Sequence, residues 1–535
     1  MQGKYVFDKR WFMTDFARLR TFERDEIILW LDKLSELGYN GLGVYIEGAF
    51  AFESIKGVIR HGVITKEDAL WLCEEGKKRD IFVFPMTNVV GHMEHFFRQE
   101  RFAELSDSNA PLFQLNFLDE KAEKFAMNIV HEFTSAFPCG IVHIGGDETT
   151  LTDENKVSYA KFLAKICKNL LNEGIQPGIW SDMLWMNGEL AEHFDRRVSI
   201  FDWNYYGHRP ESIAFFKECG FEDIVVCPSD NGCSGFINYQ HPDGWNRARA
   251  DIPVKPYEVE MFFEDGRSQG VMNGLLTSWE NETGRNMWAQ WSAFARAGLY
   301  MSGKIKAGEE HENEKIEKAL FGRITPYTEI TRELQTIQEK IREKNYPFPY
   351  FVWPRSMRVM LFTPSVMITF YKDMKRLNAD FFLSYQSDAH RLSKKLDTWT
   401  PEGDFEKHCY AAMRAVLAIL KASGAVSEAL YEYHSYASAA KLQFENPSAC
   451  SQKLFEISAK FRLAKAELDT AAAVHGEAIK SIGHSKTDIE RMRITSDTLE
   501  NIAEKIEELE KQSREIPLPR FDYLLDCVIN RKFMF

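Results

Sequence analysis

The sequence predicts a (β/α)8 barrel followed by an all-helical domain. Three observations predict it. Through about residue 305, eight short apolar runs alternate with longer amphipathic stretches. Polar and aromatic residues gather just after each apolar run. Beyond Pro354 the composition turns to Ala, Leu, Glu and Lys at helical spacing.

The apolar runs are Trp11–Phe16, Gly41–Ile46, Ile81–Met86, Ile141–Gly145, Gln176–Ser181, Val198–Trp203, Asp223–Pro228 and Asn273–Trp279. Helical patterns fall between them, as at Glu26–Leu37, Lys66–Arg79, Asp119–Phe137 and Asn155–Asn172. Strands buried on both faces read as continuous apolar runs, which suits a parallel sheet covered by helices. An open doubly wound sheet would alternate in the same way, but its glycine-rich phosphate turn after the first strand is missing. The barrel is expected over residues 1–310, a connector over 311–355 and the helical domain over 356–535. Within the connector, Tyr346–Pro354 reads as an extended stretch, because residues before proline avoid the helical region. Tyr410–Leu420, Val426–Tyr436 and Phe455–Ala473 carry the helical pattern most clearly, and Ile502–Lys511 reads as a solvated charged helix.

Barrel enzymes work at the C-terminal ends of their strands. The residues just past each run are therefore the candidates: Asp15 and Arg18, Glu47, Asn88 and His92, Asp147 and Glu148, Trp180 and Asp182, Trp203 with Tyr205 and Tyr206, Asp230, then Trp279 and Glu280. The segment Ser229–Pro256, rich in Gly, Pro and Asn, reads as an active-site loop.

Bulk properties narrow the function classes. A length of 535 residues, 44% hydrophobic and 13% aromatic, supports a large core. The formal net charge of −13, with no basic patch, argues against nucleic acid or an anionic membrane as partner. Nine scattered cysteines without a CxxC pair suit reduced thiols and a cytoplasmic setting. Met1–Arg20 lacks a signal-like apolar stretch, and no run approaches transmembrane length.

The chemistry concentrates in Val142-His143-Ile144-Gly145-Gly146-Asp147-Glu148-Thr149-Thr150. A β-branched run ends in two glycines, which let the backbone pass close to a ligand. Two adjacent carboxylates follow. Desolvation and mutual repulsion push the pKa values of such a pair apart, as acid/base work requires. Read blandly, the same residues are a strand-to-helix turn with an acidic cap.

These residues resemble the glycoside hydrolase family 20 β-N-acetylhexosaminidases. The family's fourth-strand His-x-Gly-Gly-Asp-Glu is matched in full by His143–Glu148. Asp15-Phe-Ala-Arg18 resembles its first-strand Asp-x-x-Arg, whose arginine holds sugar hydroxyls. Val90-Gly91-His92 is similar to a third-strand Pro-Gly-His, with valine in place of proline. Ile179-Trp180-Ser181-Asp182 resembles the fifth-strand Trp-x-Asp, and Trp279-Glu280 the eighth-strand Trp and Glu. The likeness spans about residues 5–305. With the helical tail and the stretch from Tyr45 and Glu47 to Phe50 and Phe52, it is nearest the smaller, intracellular-type branch. Two departures stand out. The family spaces its eighth-strand Trp and Glu by two, whereas Glu280 directly follows Trp279 and Glu282 lies further on. The seventh-strand Tyr-x-Asp is absent, leaving Tyr205 or Tyr206 as the candidate grip on the acetamide.

The resemblance implies an exo-acting, retaining enzyme needing no metal or cofactor. Its substrate would carry a terminal β-linked GlcNAc or GalNAc. Glu148 would act as general acid and then base, which calls for a raised pKa. Asp147 would orient the substrate's 2-acetamido group, whose carbonyl oxygen attacks the anomeric carbon to form an oxazolinium intermediate. Arg18, His92, Asp182, Trp203 and Trp279 would bind or position the sugar, with Trp180 in the same aromatic wall. His143 would sit buried behind the acidic pair. Glu47 is open between a hydroxyl contact and a surface charge. Two other readings stay open. One is a two-carboxylate retaining β-glycosidase with Glu280 or Glu282 as nucleophile. The other is a catalytically silent sugar-binding barrel. A homodimer through the helical domain is a further expectation.

Overall fold

The computed structural model describes residues 6–18, 21–55, 63–205, 207–230, 258–279, 286–339, 357–373, 379–438, 447–480 and 487–512, with 521, 524, 525 and 528. The expected stretch Tyr346–Pro354 lies outside these residues, as does the expected loop Ser229–Pro256 from residue 231 onward.

Eight parallel strands close into a barrel in sequence order: β1 (Lys9–Asp15), β2 (Gly41–Tyr45), β3 (Phe82–Met86), β4 (Ile141–His143), β5 (Gln176–Trp180), β6 (Ser199–Trp203), β7 (Ile224–Cys227) and β8 (Asn273–Ser278). Each falls on one of the eight apolar runs. β1 pairs with both β2 and β8, which closes the ring. The strand β4 is two residues shorter than its run, because Gly145 and Gly146 adopt φ of 75° and 95° and turn the chain out of the sheet.

The barrel interior is a packed plug. Trp11, Met13, Phe84, Met86, Trp180 and Phe201 fill it, with Val225 and Leu275. Bulk at these positions demands its absence elsewhere: a Cβ on Gly41 would lie 2.1 Å from the Trp11 ring, and one on Gly43 2.5 Å from the Met86 sulfur. The two glycines in β2 are therefore the space that lets aromatic rings enter from neighbouring strands. Around the barrel, helices bury one face each. Helix Lys66–Lys77 starts with a capping box, in which the Asp68 N–H donates to Thr65 Oγ1 at 3.1 Å and the Thr65 N–H to Asp68 Oδ2 at 3.2 Å.

The chain divides into two compact units. The first holds the barrel and runs to Gly322. The segment expected as a connector contains two helices, Glu312–Phe321 and Tyr327–Glu339. The former belongs to the barrel unit, and the latter to the helical unit that begins at Arg323. Residues 286–292, expected within the barrel, group with the helical unit instead. Burial explains this: Trp288 and Trp291 pack on Phe405 at ring distances of 5.4 and 5.0 Å, and the Tyr327 hydroxyl donates to the Trp288 carbonyl at 3.0 Å.

Within the helical unit, Gly403–Ser438, Pro447–Ile479 and Thr487–Gln512 are its longest helices. The sequence patterns at Tyr410–Leu420 and Val426–Tyr436 merge into the first of them. Contrary to the expectation that no run approaches membrane length, that helix holds an 18-residue window of mean hydropathy 1.4, of which 72% is buried inside the protein. Small buried residues there (Ala422, Ser423, Gly424, Ala425) let neighbouring helices approach closely.

Candidate active site

The loops at the C-terminal ends of the strands bring the acidic pair, two histidines, an arginine and an aromatic group together. After β4 the chain passes Gly145 and Gly146 and reaches Asp147 and Glu148. A Cβ on Gly145 would lie 1.5 Å from Asn88 Oδ1, so that position admits only glycine. Asn88 Oδ1 instead accepts the Gly146 N–H at 2.9 Å. The Gly146 carbonyl accepts the Tyr159 hydroxyl. Glu148 itself has φ of 51°, and its N–H donates to Asp182 Oδ2 at 2.9 Å.

Four of the six described non-glycine residues with positive φ belong to these strand-end loops: Glu47, His92, Leu112 and Glu148. Strain of this kind persists only where surrounding bonds over-determine it. The Glu47 side chain shows how. It accepts the Tyr45 hydroxyl at 2.5 Å, lies 3.7 Å from Arg18 Nη2 and 3.6 Å from His95 Nε2, and is almost wholly buried. The reading of Glu47 as a surface charge is excluded by that burial.

Arg18 is held by Asp15, with Nη1 donating to Oδ2 at 2.8 Å, and its guanidinium stands over the Tyr45 and Trp279 rings at 5.4 and 5.3 Å. The Trp279 indole N–H donates to the Tyr205 hydroxyl at 2.8 Å. The Tyr205 ring in turn packs on Trp203 at 4.9 Å. Trp203, Tyr205 and Trp279 are partly exposed, as an aromatic wall requires. Trp180 lies beneath that wall, its ring 6.0 Å from that of Trp279. It is only 2% exposed and packs on His143 at 4.3 Å within the barrel plug, because the last residue of β5 points inward. Tyr206, Glu280 and Glu282 lie outside the described residues.

His143 sits wholly buried beneath the turn, where its Nδ1 accepts the Gly145 N–H at 3.2 Å. Burial pushes its pKa down to about 3, so the ring is neutral and shapes the turn as an acceptor. His92 is opposite in character. Burial pushes it down, but a hydrogen bond to Glu148 and the charge of Asp147 outweigh this and raise it to about 9. Its Nε2 lies 3.3 Å from Glu148 Oε2 and 3.7 Å from Asp147 Oδ2. The His92 bond holds the Glu148 carboxyl below the usual range, against the expectation of a raised value. The Glu148 side chain is 56% exposed, so water still stabilises its charge.

Asp147 and Asp182 behave differently. Burial and nearby negative charge raise both, Asp182 to about 7. Asp147 Oδ1 is buried without a hydrogen-bond partner among the described residues. A carboxyl whose folded pKa is raised costs stability as it ionises: the unfolded chain releases that proton near pH 3.8, the folded one near 7, so stability falls across this window. Asp182→Asn keeps an acceptor for the Glu148 N–H and removes the charge. Its melting temperature, relative to wild type, is expected to climb by a few degrees between pH 4 and pH 8. A flat or falling difference in a thermal denaturation series refutes this account.

Residues 45–231, from the end of β2 to just past β7, match the model of the glycosyl hydrolase family 20 catalytic domain. That match contains β3 to β7 and the acidic pair. Solved structures similar to this chain include a β-N-acetylhexosaminidase from Bacteroides fragilis (16% identity, covering 59% of this chain and 70% of that one, TM-score 0.47). Two others are the Streptomyces coelicolor A3(2) β-N-acetylhexosaminidase (16%, 59% and 70%, 0.45) and the Streptomyces plicatus N-acetyl-β-hexosaminidase (17%, 61% and 69%, 0.44). None of the curated proteins matches the sequence. The candidate site also contains residues that the sequence patterns did not single out. Tyr159 comes from the first turn of the helix Lys156–Asn172 and His95 from the short helix Glu94–Phe97, and neither directly follows an apolar run.

Proposed function

We propose that this glycoside hydrolase is an exo-acting, retaining β-N-acetylhexosaminidase, removing terminal β-linked GlcNAc or GalNAc with the substrate's own acetamide as nucleophile. One observation carries the reading: a buried Asp147 oxygen lacks a partner among the described residues, beside a half-exposed Glu148. An acceptor left open in a dry site is costly unless a ligand donor fills it. The N–H of an acetamide is such a donor. Its bond to Asp147 would turn the carbonyl oxygen towards the anomeric carbon and stabilise the positive charge that develops as the oxazolinium ring closes.

Glu148 would supply the proton. A bound sugar would cover it and strip its water, which raises a carboxyl's pKa and favours the acid form. His92 positions this carboxyl. Arg18 would donate to sugar hydroxyls while Trp203 and Trp279 meet the apolar face of the ring. Tyr205, hydrogen-bonded to Trp279, would meet the acetamide. Asp182 holds the backbone of Glu148.

A panel of 4-nitrophenyl β-GlcNAc, β-GalNAc and β-glucoside tests the reading. Cleavage of the acetamido sugars with at least a hundredfold preference over the glucoside is expected, since the glucoside lacks the nucleophile. Comparable cleavage of the glucoside points to a protein carboxylate as nucleophile instead, and no cleavage of any points to a silent binding barrel.

A further inference from the structure

We infer that Phe113 forms one wall of an aglycone subsite that receives a second pyranose, the sugar to which the terminal acetamido residue is linked. This rests on the hexosaminidase reading above and extends it to the leaving group.

Phe113 lies in the loop that follows β3. Its ring is partly exposed and meets the His92 ring edge to face at 4.8 Å. His92 Nε2 is 3.3 Å from Glu148 Oε2. A second contact runs through Gly91, where a Cβ would lie 3.5 Å from the Phe113 ring and 2.7 Å from the Asp147 carbonyl. Phe113 is thus one residue removed from the acidic pair along two routes.

The direction of the chemistry assigns a purpose to that position. A general acid protonates the glycosidic oxygen, so the departing group lies on the side of Glu148. Arg18, Trp203, Tyr205 and Trp279 come from the ends of β1, β6 and β8, whereas Phe113 and Glu148 follow β3 and β4. The two groups occupy different arcs of the closed ring, one for the bound sugar and one for the group that leaves. An aromatic face suits the C–H face of a pyranose.

The loop is also built to hold still. The Leu112 N–H donates to Ser106 Oγ at 2.9 Å, and the Met93 N–H donates to the Phe113 carbonyl at 2.9 Å. Gln114 donates to Asp107 Oδ2 at 2.9 Å and accepts the Thr150 N–H at 2.7 Å, which ties this loop to the chain just past Glu148. A platform fixed in advance loses little freedom when a sugar binds.

The test compares two substrates that both need a proton on the leaving oxygen: methyl β-GlcNAc, whose aglycone is too small to reach Phe113, and GlcNAc-β-1,4-GlcNAc. In Phe113→Leu, which keeps apolar packing on His92, kcat/KM for the disaccharide is expected to fall roughly three- to tenfold, the scale of an aromatic contact. The methyl glycoside should stay within about twofold. Phe113→Tyr should retain both activities, and Phe113→Met serves in place of the leucine variant if that one folds poorly. Equal losses on both substrates assign Phe113 to supporting His92 and overturn the subsite. An undiminished disaccharide rate overturns it as well. Wild type that cleaves neither substrate brings down the hexosaminidase reading itself, which separates the two failures.

Discussion

Replacing Glu148 by glutamine is expected to cut turnover of GlcNAc glycosides by about 10²–10⁴, the usual range for a general acid–base residue. The loss should depend on the leaving group. An alkyl or sugar oxygen leaves poorly without a proton and should suffer most, whereas an activated phenolate or azide should suffer least in the first step. Geometry supports the assignment: Glu148 is the more exposed of the two carboxylates, and His92 Nε2, 3.3 Å away, holds it in place. The substitution also removes the negative partner that holds His92 at about 9, so the His92 pKa should drop in the variant. Rates for methyl, 4-nitrophenyl and azide glycosides, measured side by side, decide the matter. Equal losses across all three would reject the general-acid role.

Asp147→Asn should be nearly as damaging, about 10²–10³, the scale observed when one preorganised electrostatic group is removed. Its pattern differs, because every acetamido substrate needs the same assistance whatever its leaving group. An asparagine still accepts a hydrogen bond through its oxygen, but it cannot supply negative charge to an acetamide nitrogen turning cationic. Stability should move the other way. The Asp147 charge helps raise the Asp182 pKa, so removing it relieves Asp182. A variant that melts above wild type at pH 8 and has lost its activity is the expected result. Near-normal turnover, or a melting temperature below wild type at that pH, would count against the role given to Asp147.

The barrel and the acidic pair were legible in the sequence for a physical reason. Parallel strands buried on both faces leave uninterrupted apolar runs, and each run here corresponds to a strand within a few residues. Two glycines followed by two carboxylates mark a turn with charge at its tip. Other features depend on distance in space. Trp180 and Trp279 both end apolar runs, yet one is sunk in the plug and the other lines the mouth, a difference set by which way each strand end points. The low pKa of Glu148 follows from His92, on a different strand-end loop. The helices Glu312–Phe321 and Tyr327–Glu339 hide in a stretch where charged residues mask the apolar spacing.

The plug of Trp11, Phe84, Met86 and Phe201 governs traffic as well as packing. A barrel stoppered from within is a cul-de-sac, with one doorway for arrivals and departures alike. Nothing passes through it, so whatever meets the acids must approach and leave by the strand-end face. On the proposed reading, each freed sugar would back out by the route it entered. The monosaccharide would then compete with its parent glycan for the doorway, and accumulated product would become a brake on turnover.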